Sequence, residues 1–311
     1  MPNIVWMQTG ACSGETMALL CADRPSLEGL LAQYPLRLLW HPSLTADTRF
    51  GEVLKAITSG REPLDILCIE GSLMTGPNNT GLYDTWKGRA KIDIVRELAP
   101  LARHVVAMGT CAAFGGIHAA GPNPTDCTGL QFLKDKPGGL LGAEWRSRSG
   151  QPVINVAGCP AHPNTITKLL AMLAEEQPLT LDAINRPTPF FSSLVHQGCT
   201  RNEYHEYDIE DEALGGRGCM FFSLGCRGPQ TVAPCNTELW NGQSSKTRAG
   251  VPCFGCTSPD FPSNRDLFTT PKIGSMPKYL PLGVARAKFM AYKNLARAAA
   301  PERVINREME P

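Results

Sequence analysis

The sequence lacks the features of an exported or membrane-spanning chain. Its opening residues, "MPNIVWMQTG", contain no basic segment, no long apolar core and no twin-arginine pair, so they do not resemble a secretory leader. Nor is there a run of roughly 18 apolar residues, the length that a transmembrane helix needs. We therefore expect a cytoplasmic protein without a transmembrane segment.

An excess of charge of either sign is also missing. The 30 Lys and Arg residues nearly cancel the 29 Asp and Glu residues, which leaves a formal net charge of +1. Basic residues form no tract, so we expect neither nucleic acid nor an anionic membrane as a partner. Hydrophobic residues make up 42% of the 311 residues, which is typical of a globular chain long enough for two domains.

Cysteine, in contrast, is abundant. The chain has 12 cysteines, although disulfides are rare in the cytoplasm. Crowded cysteines in a reducing compartment more often bind metal or carry out redox chemistry. The positions of the cysteines along the chain therefore direct the search for a functional site.

The first half of the chain alternates between two kinds of segment. Strands are predicted at "NIVWMQT", "LRLLWHP", "LDILCIEGS" and "PVINVAGCPAHP", and "HVVAMGTCAAFGG" is predicted to be a strand that runs into a Gly-rich loop. Helices are predicted at "TMALLCA", "FGEVLKAITSG", "IDIVRELAPLA" and "NTITKLLAMLAEE", with Gly60 ending the second and Asn164 as N-cap of the last. The alternation predicts an α/β fold with a parallel sheet.

The character of the chain changes after about residue 185. Periodicity fades there, and Gly, Pro, Asn and Cys become more frequent. Near the end, "LPLGVARAKFMAYKNLARAAA" predicts a final helix with an apolar stripe. We predict two domains, spanning residues 1–185 and 186–311.

Three cysteines of the first domain follow predicted strands at equivalent places: Cys12, Cys111 and Cys159. Ligands of open parallel sheets bind beyond the carboxyl ends of the strands, so we expect these loops to converge at one edge. Structural burial is the usual role of a single cysteine. Three cysteines in equivalent loops beside Gly or Pro favour a shared metal site instead.

Six further cysteines and one histidine lie within about sixty residues of the second domain. They divide into a group of four (His196, Cys199, Cys219 and Cys226) and a group of three (Cys235, Cys253 and Cys256). Thiolates suit both iron–sulfur clusters and zinc. Zinc ribbons pair one CxxC with another, and "CFGC" has no such partner, so we favour iron–sulfur clusters. A zinc-stabilised binding module without electron transfer is the alternative.

The stretch "TGACSGETMALL" places Glu15 three residues after Cys12. A phosphate-binding loop needs Lys after its second glycine, whereas Glu15 follows Gly14 here, which weakens that interpretation. An early glutamate also suits the dipole of a helix that Ser13 or Thr16 could cap. Capping and metal binding are compatible, because the N–H groups of a helix start stabilise an anionic cluster.

Taken together, these segments resemble the small subunit of [NiFe] hydrogenases. The matching pieces cover nearly the whole chain in order: "WMQTGACSG", "LWHPSL", "IEGS", "GTCAAFGG", "NPTDCTGLQ", "NVAGCPAHP", "HQGCTRNEYHEY", "LGCRGP", "PCNTELWN", "SSKTRAG", "PCFGCTSPDFP" and "TPKIG". The resemblance implies a flavodoxin-like parallel-sheet domain followed by a smaller, loop-rich iron–sulfur domain. It also implies a relay of electrons from H2 oxidation through three clusters to an acceptor.

The resemblance also implies ligands and partners. A proximal cluster is held by Cys12, Cys111 and Cys159, a medial [3Fe–4S] cluster by Cys235, Cys253 and Cys256, and a distal [4Fe–4S] cluster by His196, Cys199, Cys219 and Cys226. The Ni–Fe centre lies on a separate large subunit in an obligate heterodimer, with a dimer of heterodimers left open. The acceptor is an electron-transfer protein or a quinone. This chain carries no catalytic residue of its own.

The chain departs from the family pattern at the proximal cluster. The usual CxxC is replaced by Cys12-Ser-Gly-Glu15. Three outcomes are open: Glu15 binds the fourth iron of a [4Fe–4S] cluster through oxygen, Glu70 of "IEGS" does so, or that iron is absent and the cluster is [3Fe–4S]. We favour ligation by Glu15.

Two branches of the family fit the sequence. The opening "GACSG" and the segment "SSKTRAGVPC" resemble cytoplasmic uptake-type and high-affinity, oxygen-tolerant members. Hydrogen-sensing members usually keep CxxC at the start and carry a cysteine near Lys246. Both positions differ here, so we rank uptake above sensing. The alternative is a regulatory small subunit that signals to a histidine kinase.

Overall fold

The computed structural model describes residues 1–263 and 266–307 and contains a five-stranded sheet. Its strands are β1 Asn3–Gln8, β2 Arg37–Trp40, β3 Leu64–Glu70, β4 Ala102–Met108 and β5 Ile154–Val156. They lie in the order β2-β1-β3-β4-β5, and every neighbouring pair is parallel. This order is that of flavodoxin-like open sheets, so the predicted fold class is confirmed.

Six α-helices accompany the sheet. They are α1 Gly14–Leu20, α2 Leu27–Gln33, α3 Phe50–Thr58, α4 Lys91–Leu98, α5 Gly109–Phe114 and α6 Pro163–Ala174. Short 3-10 turns occur at Asp47–Arg49 and Ala99–Leu101. Two-residue strands pair Leu73–Met74 with Cys127–Thr128, Thr85–Trp86 with Arg89–Ala90, and Phe132–Leu133 with Lys136–Pro137.

The sheet is apolar on both faces. On one face Ile66 of β3 and Val106 of β4 pack in a cluster with Leu169 and other residues of α6. The intervening residues Leu67 and Val105 are fully buried as well. Near-continuous apolar strands are what a parallel sheet covered by helices on both faces requires.

The start of the last helix of the sheet unit differs from the prediction. It begins at Pro163 with His162 at its N-cap, two positions earlier than a cap at Asn164 would allow. Proline is favoured at the first helical position because its missing N–H would have no partner there. The side chain of Asn164 instead accepts hydrogen bonds from the backbone N–H groups of Asp23 and Arg24, at 3.0 and 3.2 Å.

The described chain divides into two compact units. The first contains Met1–Phe190 together with Cys256–Pro262, and the second contains Phe191–Gly255 and Ser263–Pro311. The segment Cys256–Pro262 thus belongs to the first unit, whereas the predicted boundary between residues 185 and 186 places it in the second domain. Residues 308–311 of the predicted 186–311 domain lie outside the described residues.

The second unit has little regular structure. Its elements are α7 Asn202–Glu206, a 3-10 turn at Gly228–Gln230, an antiparallel pair of Lys272–Ile273 with Met276–Pro277, α8 Arg286–Ala298 and α9 Glu302–Ile305. Helix α8 lies within the predicted final helix. One small core contains Tyr204, Phe221 and Phe222. Across the described residues, no helix is both long enough and apolar enough to cross a membrane.

Candidate metal centres

The carboxyl ends of the sheet strands are in register. Gln8 of β1 pairs with Glu70 of β3, and Glu70 pairs with Met108 of β4. Met108 pairs in turn with Val156 of β5. The chain therefore leaves these strands at one edge of the sheet. Just beyond that edge lie Cys12, Cys111 and Cys159.

Cys111 lies on a helix rather than in the Gly-rich loop that the sequence predicted. Helix α5 begins at Gly109, immediately after β4. Gly109 has φ +84°, a left-handed conformation that lets the chain turn from strand to helix without a connecting loop. The backbone N–H of Thr110 donates to the Gly158 carbonyl at 2.7 Å, and the Gly158 N–H donates to Thr110 Oγ1 at 2.9 Å. These bonds fix the Cys111 and Cys159 segments to each other.

Three glycines pack directly against the candidate ligands. A Cβ atom on Gly14 would lie 3.1 Å from Cys12 Sγ, and one on Gly116 would lie 2.6 Å from Cys111 Sγ. A Cβ on Gly109 would lie only 2.1 Å from Glu15 Oε1. A Cβ at Gly109 or Gly116 would collide with these side chains, so glycine is what lets the backbone pass so close to the candidate ligands.

Glu15 is a buried carboxylate at the same edge. It is 8% exposed, and its Oε2 accepts a hydrogen bond from the Ala161 N–H at 2.7 Å. Burial raises the pKa of Glu15 to about 8; the Ala161 N–H lowers it, and the nearby charge of Glu70 raises it further. An ionised carboxylate in such a place is unfavourable unless a cation compensates it, and iron is a cation that accepts oxygen ligands.

The thiols at this edge influence one another. Burial raises the pKa of Cys111 to about 11, and negative charge on Glu15 and Cys12 adds to the shift. Burial likewise raises the pKa of Cys159 to about 12, with contributions from Cys111 and Cys256. The structure thus brings the predicted proximal ligands together. Crowded thiolates favour a positively charged centre among them.

Glu70 has a different role from the one considered for it. Its Oε1 accepts hydrogen bonds from the backbone N–H groups of Glu15 and Thr16, at 3.1 and 3.2 Å. Its Oε2 accepts from Trp6 Nε1 at 2.8 Å, Gln8 Nε2 at 3.1 Å and Thr16 Oγ1 at 2.6 Å. Five donors occupy the two oxygens, so Glu70 caps α1, and Glu15 fits the fourth ligand position better.

The capping role of Glu70 is a feature that sequence reasoning missed. Ser13 stands at the N-cap of α1 with φ 62°, and within the described chain its side chain makes no capping hydrogen bond. The signal present in the sequence was an acidic residue at the end of the apolar strand "LDILCIE". A buried carboxylate there needs donors, and a helix N-terminus supplies them.

The second unit gathers the four predicted distal ligands. His196, Cys199, Cys219 and Cys226 all line one small cavity. The sulfur atoms of the three cysteines accept hydrogen bonds from backbone N–H groups. Arg201 N–H donates to Cys199 at 3.4 Å, Phe221 N–H to Cys219 at 3.4 Å, and Cys253 N–H to Cys226 at 3.3 Å. Such N–H···S bonds stabilise thiolates and the clusters that they bind, so the residues present fit the group.

His196 is held by its backbone and by a second histidine. Its N–H donates to the Gly228 carbonyl at 3.2 Å, and burial lowers the pKa of its ring, which keeps the imidazole in the neutral form that binds metal. The His205 ring lies 4.4 Å from the His196 ring, and His205 Nδ1 lies 3.5 Å from Cys219 Sγ. Sequence reasoning gave His205 no role, although it belongs to the motif "RNEYHEY".

The three predicted medial ligands do not all belong to the same compact unit. Cys253 packs with Val195 and Ala233 in one apolar cluster, against which Cys235 also packs. Cys256 belongs to the segment that is part of the first unit, where its carbonyl oxygen accepts a hydrogen bond from Thr110 Oγ1. Two of the three thiols thus lie in an apolar cluster of the second unit.

Three or more His, Cys, Asp or Glu side chains close enough to share a single metal ion are not found among residues 1–263 and 266–307. The ligands of an iron–sulfur cluster stand further apart, because each binds a different iron atom. The ligand groups of this chain are therefore defined by a shared cavity in the second unit and by mutual electrostatic effects at the sheet edge.

Comparisons with known proteins identify the family. A model of the NADH ubiquinone oxidoreductase 20 kDa subunit matches residues 12–173, and a model of the C-terminal part of the NiFe/NiFeSe hydrogenase small subunit matches residues 191–269. The F420 non-reducing hydrogenase II small subunit of Methanosarcina mazei is 32% identical over 293 residues, covering 86% of this chain and 75% of that protein. The chain belongs to the [NiFe] hydrogenase small-subunit family. It is therefore one subunit of a hydrogenase heterodimer.

Solved structures and a further relative agree with this assignment. The actinobacterial-type NiFe-hydrogenase of Ralstonia eutropha H16 aligns with the small subunit at TM-score 0.78 and 30% identity, covering 100% of this chain and 92% of that one. The [NiFeSe] hydrogenase of Dm. baculatum aligns at TM-score 0.71 and 28% identity, covering 90% and 99%. The periplasmic [NiFe] hydrogenase small subunit 1 of Nitratidesulfovibrio vulgaris is 31% identical over 270 residues, covering 84% of this small subunit and 79% of the relative. Because that relative is named periplasmic, family membership does not support the cytoplasmic expectation.

Proposed function

We propose that this small subunit is an electron relay. Electrons released by H2 oxidation at the Ni–Fe site of the large subunit pass through a proximal, a medial and a distal iron–sulfur cluster to an acceptor. The observation that carries the proposal is the convergence of Cys12, Cys111 and Cys159 with Glu15 at one sheet edge, beside closely packed glycines. The clusters supply one-electron chemistry when bound, and the chain supplies ligands, spacing and exclusion of water.

The proposal assigns each ligand group a cluster. Cys12, Cys111, Cys159 and Glu15 hold a proximal [4Fe–4S] cluster. The saturation of Glu70 by five donors supports Glu15 over Glu70 as the oxygen ligand. A medial [3Fe–4S] cluster is held by Cys235, Cys253 and Cys256, and a distal [4Fe–4S] cluster by His196, Cys199, Cys219 and Cys226.

The first experiment measures metal and turnover in the intact heterodimer. We expect about 11 cluster iron atoms per small subunit (four, three and four) and H2-dependent reduction of benzyl viologen. Substitution Cys219→Ser removes a distal thiolate and is expected to lower viologen reduction about tenfold or more. Cys21→Ser is the matched control, since Cys21 is an exposed free thiol. An active preparation that contains zinc and little iron would contradict the relay.

A second measurement separates uptake from sensing. We propose the uptake role, and the support is that the chain differs from the sensing pattern at Glu15 and Lys246. An uptake enzyme turns over H2 rapidly with an artificial acceptor. Slow turnover together with stable association of a histidine kinase would instead support the regulatory alternative.

The proposal includes a cytoplasmic location. The 12 cysteines form no disulfide in the described chain, as is usual for a protein of a reducing compartment. Cell fractionation with antibodies against the protein tests this directly. Recovery of the small subunit in a periplasmic fraction would overturn the location but leave the relay intact.

A further inference from the structure

We propose that His205 is a positioning residue of the distal site, which tunes the reduction potential of the distal cluster through a hydrogen bond to its ligand Cys219. The inference rests on the proposed relay, because it assigns a further residue to one of the relay's clusters. His205 lies on α7, and its Nδ1 atom is 3.5 Å from Cys219 Sγ. Sulfur is larger than oxygen, so this separation is that of an N–H···S hydrogen bond.

The chemistry of a bound thiolate fixes the direction of this hydrogen bond. A cysteine that binds iron is deprotonated, so the sulfur of Cys219 can only accept. The hydrogen atom is therefore on Nδ1 of His205, and Nε2 is the unprotonated nitrogen of the neutral ring. The ring is partly exposed, and neither of its nitrogens is a buried atom without a partner within the described chain. The required tautomer thus leaves no orphaned polar group.

Aromatic neighbours hold the His205 ring in this orientation. The ring stacks on Phe222, with centroids 5.3 Å apart and an interplanar angle of 18°. Phe221 and His196 contact it edge to face, with centroid distances of 5.1 and 4.4 Å. Stacked and edge-to-face contacts are favoured arrangements of ring pairs. Three rings therefore confine the imidazole and keep its Nδ1–H within reach of Cys219.

His205 differs from the other donors described at the distal site, because its hydrogen bond comes from a side chain. Cys199 and Cys226 accept from backbone N–H groups, as Cys219 also does from Phe221. Backbone donors persist when residues are exchanged, since every residue except proline carries an N–H. A side-chain donor is lost or gained by a single substitution. His205 is thus a position at which the chain can adjust the distal potential while its backbone stays the same.

The hydrogen bond raises the reduction potential of the distal cluster. Reduction adds an electron, and part of the added negative charge falls on the thiolate sulfurs. An N–H dipole directed at Cys219 stabilises the reduced form more than the oxidised form. The surroundings strengthen the effect, because Cys219, Phe221 and Phe222 are only 6%, 2% and 3% exposed. A higher distal potential favours the passage of electrons from the medial to the distal cluster.

The test uses three substitutions of His205 in the intact heterodimer. His205→Asn keeps an N–H donor near the position of Nδ1, His205→Gln moves the donor towards the position of Nε2, and His205→Phe keeps a ring without a donor. The measurement is an EPR-monitored redox titration. At a fixed applied potential we expect the reduced-to-oxidised ratio of the distal cluster to fall about fivefold or more in His205→Phe and His205→Gln, which is about 41 mV for one electron. In His205→Asn we expect a change of less than about twofold.

Tyr207→Phe is the matched control, because it also keeps a ring and removes a side-chain donor. Tyr207 is the C-cap of the same helix, and we expect its variant to titrate like the wild type. A second readout detects the hydrogen atom itself. In deuterated water, ENDOR spectra of the reduced wild type are expected to show an exchangeable proton coupled to the distal cluster that His205→Phe lacks. The comparison of His205→Asn with His205→Gln stands even if the Phe variant does not assemble.

The outcomes are distinct. Equal distal potentials in the wild type and His205→Phe would overturn the inference. A His205→Asn variant with a potential as low as that of His205→Gln would do the same, since the donor at Nδ1 is what the inference requires. A wild type that shows the distal EPR signal, with variants that titrate like it, overturns the inference alone. A wild type without iron at the distal site overturns the relay as well.

Discussion

At the scale of single residues, Glu15 distinguishes this chain from the usual family pattern. It is buried, accepts a hydrogen bond from Ala161 and packs against glycines, and in the proposed proximal site this carboxylate takes the place of a thiolate. Changing one ligand from sulfur to oxygen alters the charge and softness at one iron atom. The proximal cluster is therefore expected to differ in potential from a four-thiolate cluster.

Replacing Glu15 by Ala tests its role as a ligand. We expect the heterodimer to lose about one iron atom, and its oxidised form to gain the EPR signal of a [3Fe–4S] cluster. The control is Glu52→Ala, because Glu52 is an acidic residue in the first turn of another helix and is exposed. Unchanged iron content and EPR spectra in Glu15→Ala would contradict ligation by this carboxylate.

Replacing Glu70 tests its role as a cap. In Glu70→Gln one carboxylate oxygen becomes an NH2 group, which cannot accept the hydrogen bonds that Glu15 and Thr16 donate to Glu70. We therefore expect α1 to lose about 2 kcal/mol of local stability. The measurement is hydrogen–deuterium exchange of the α1 amides. Glu62→Gln serves as control, because the Glu62–Arg37 ion pair at 3.2 Å is partly exposed and contributes little. Faster α1 exchange in both variants alike would argue against a specific cap.

The residues that sequence analysis identified and those that it missed differ in one respect. Cysteines are recognised by type and spacing, so the positions of the thiols could be selected before any fold was known. The roles of Glu70 and His205 depend on partners distant in sequence; the bond from Trp6 to Glu70, for example, spans 64 positions. Such contacts depend on strand order and register, which spacing along the chain does not encode.

At the scale of elements, hydrophobic patterning predicted the five sheet strands and most of their helices. The errors fall at element boundaries. Cys111 was predicted in a loop because Gly109 and Gly115 suggest one, whereas α5 begins at Gly109 and ends at Phe114, just before Gly115. Helix α2 was missed: it has only seven residues, and of these only Leu30 is buried.

Alanine substitutions at two glycines distinguish the effect of backbone strain from the effect of a steric collision at the proposed proximal site. Gly109 and Gly60 have φ +84° and +73°, so alanine costs about 1 kcal/mol of conformational free energy at either. Only at Gly109 would the added Cβ collide with Glu15. We expect Gly109→Ala to lose proximal-cluster iron and Gly60→Ala to keep it, as measured by iron analysis and EPR. Equal iron content in both would show that the space beside Glu15 is not needed.

At the scale of the whole molecule, the two units differ in what stabilises them. The first has a five-stranded sheet covered by helices, whereas the second has short elements and small cores. Small cores with few regular elements depend more strongly on bound metal. We therefore expect the clusters to contribute much more to the stability of the second unit.

Removing iron tests this difference. After anaerobic treatment of the heterodimer with ferricyanide and a chelator, amides of residues 196–255 are expected to exchange with deuterium much faster. Amides of β1, β3 and β4 are expected to stay protected, because their hydrogen bonds lie inside the sheet. Loss of protection in the sheet before the second unit would refute the expectation.

The alignment of the strand ends has a consequence for how such proteins diversify. The distance between neighbouring strands is set by backbone hydrogen bonds at about 4.8 Å, and side-chain replacement hardly alters it. Gln8, Glu70, Met108 and Val156 form one such line. A donor atom near this line can be exchanged, as we propose for Glu15, while the scaffold stays the same, so redox tuning and folding can evolve separately.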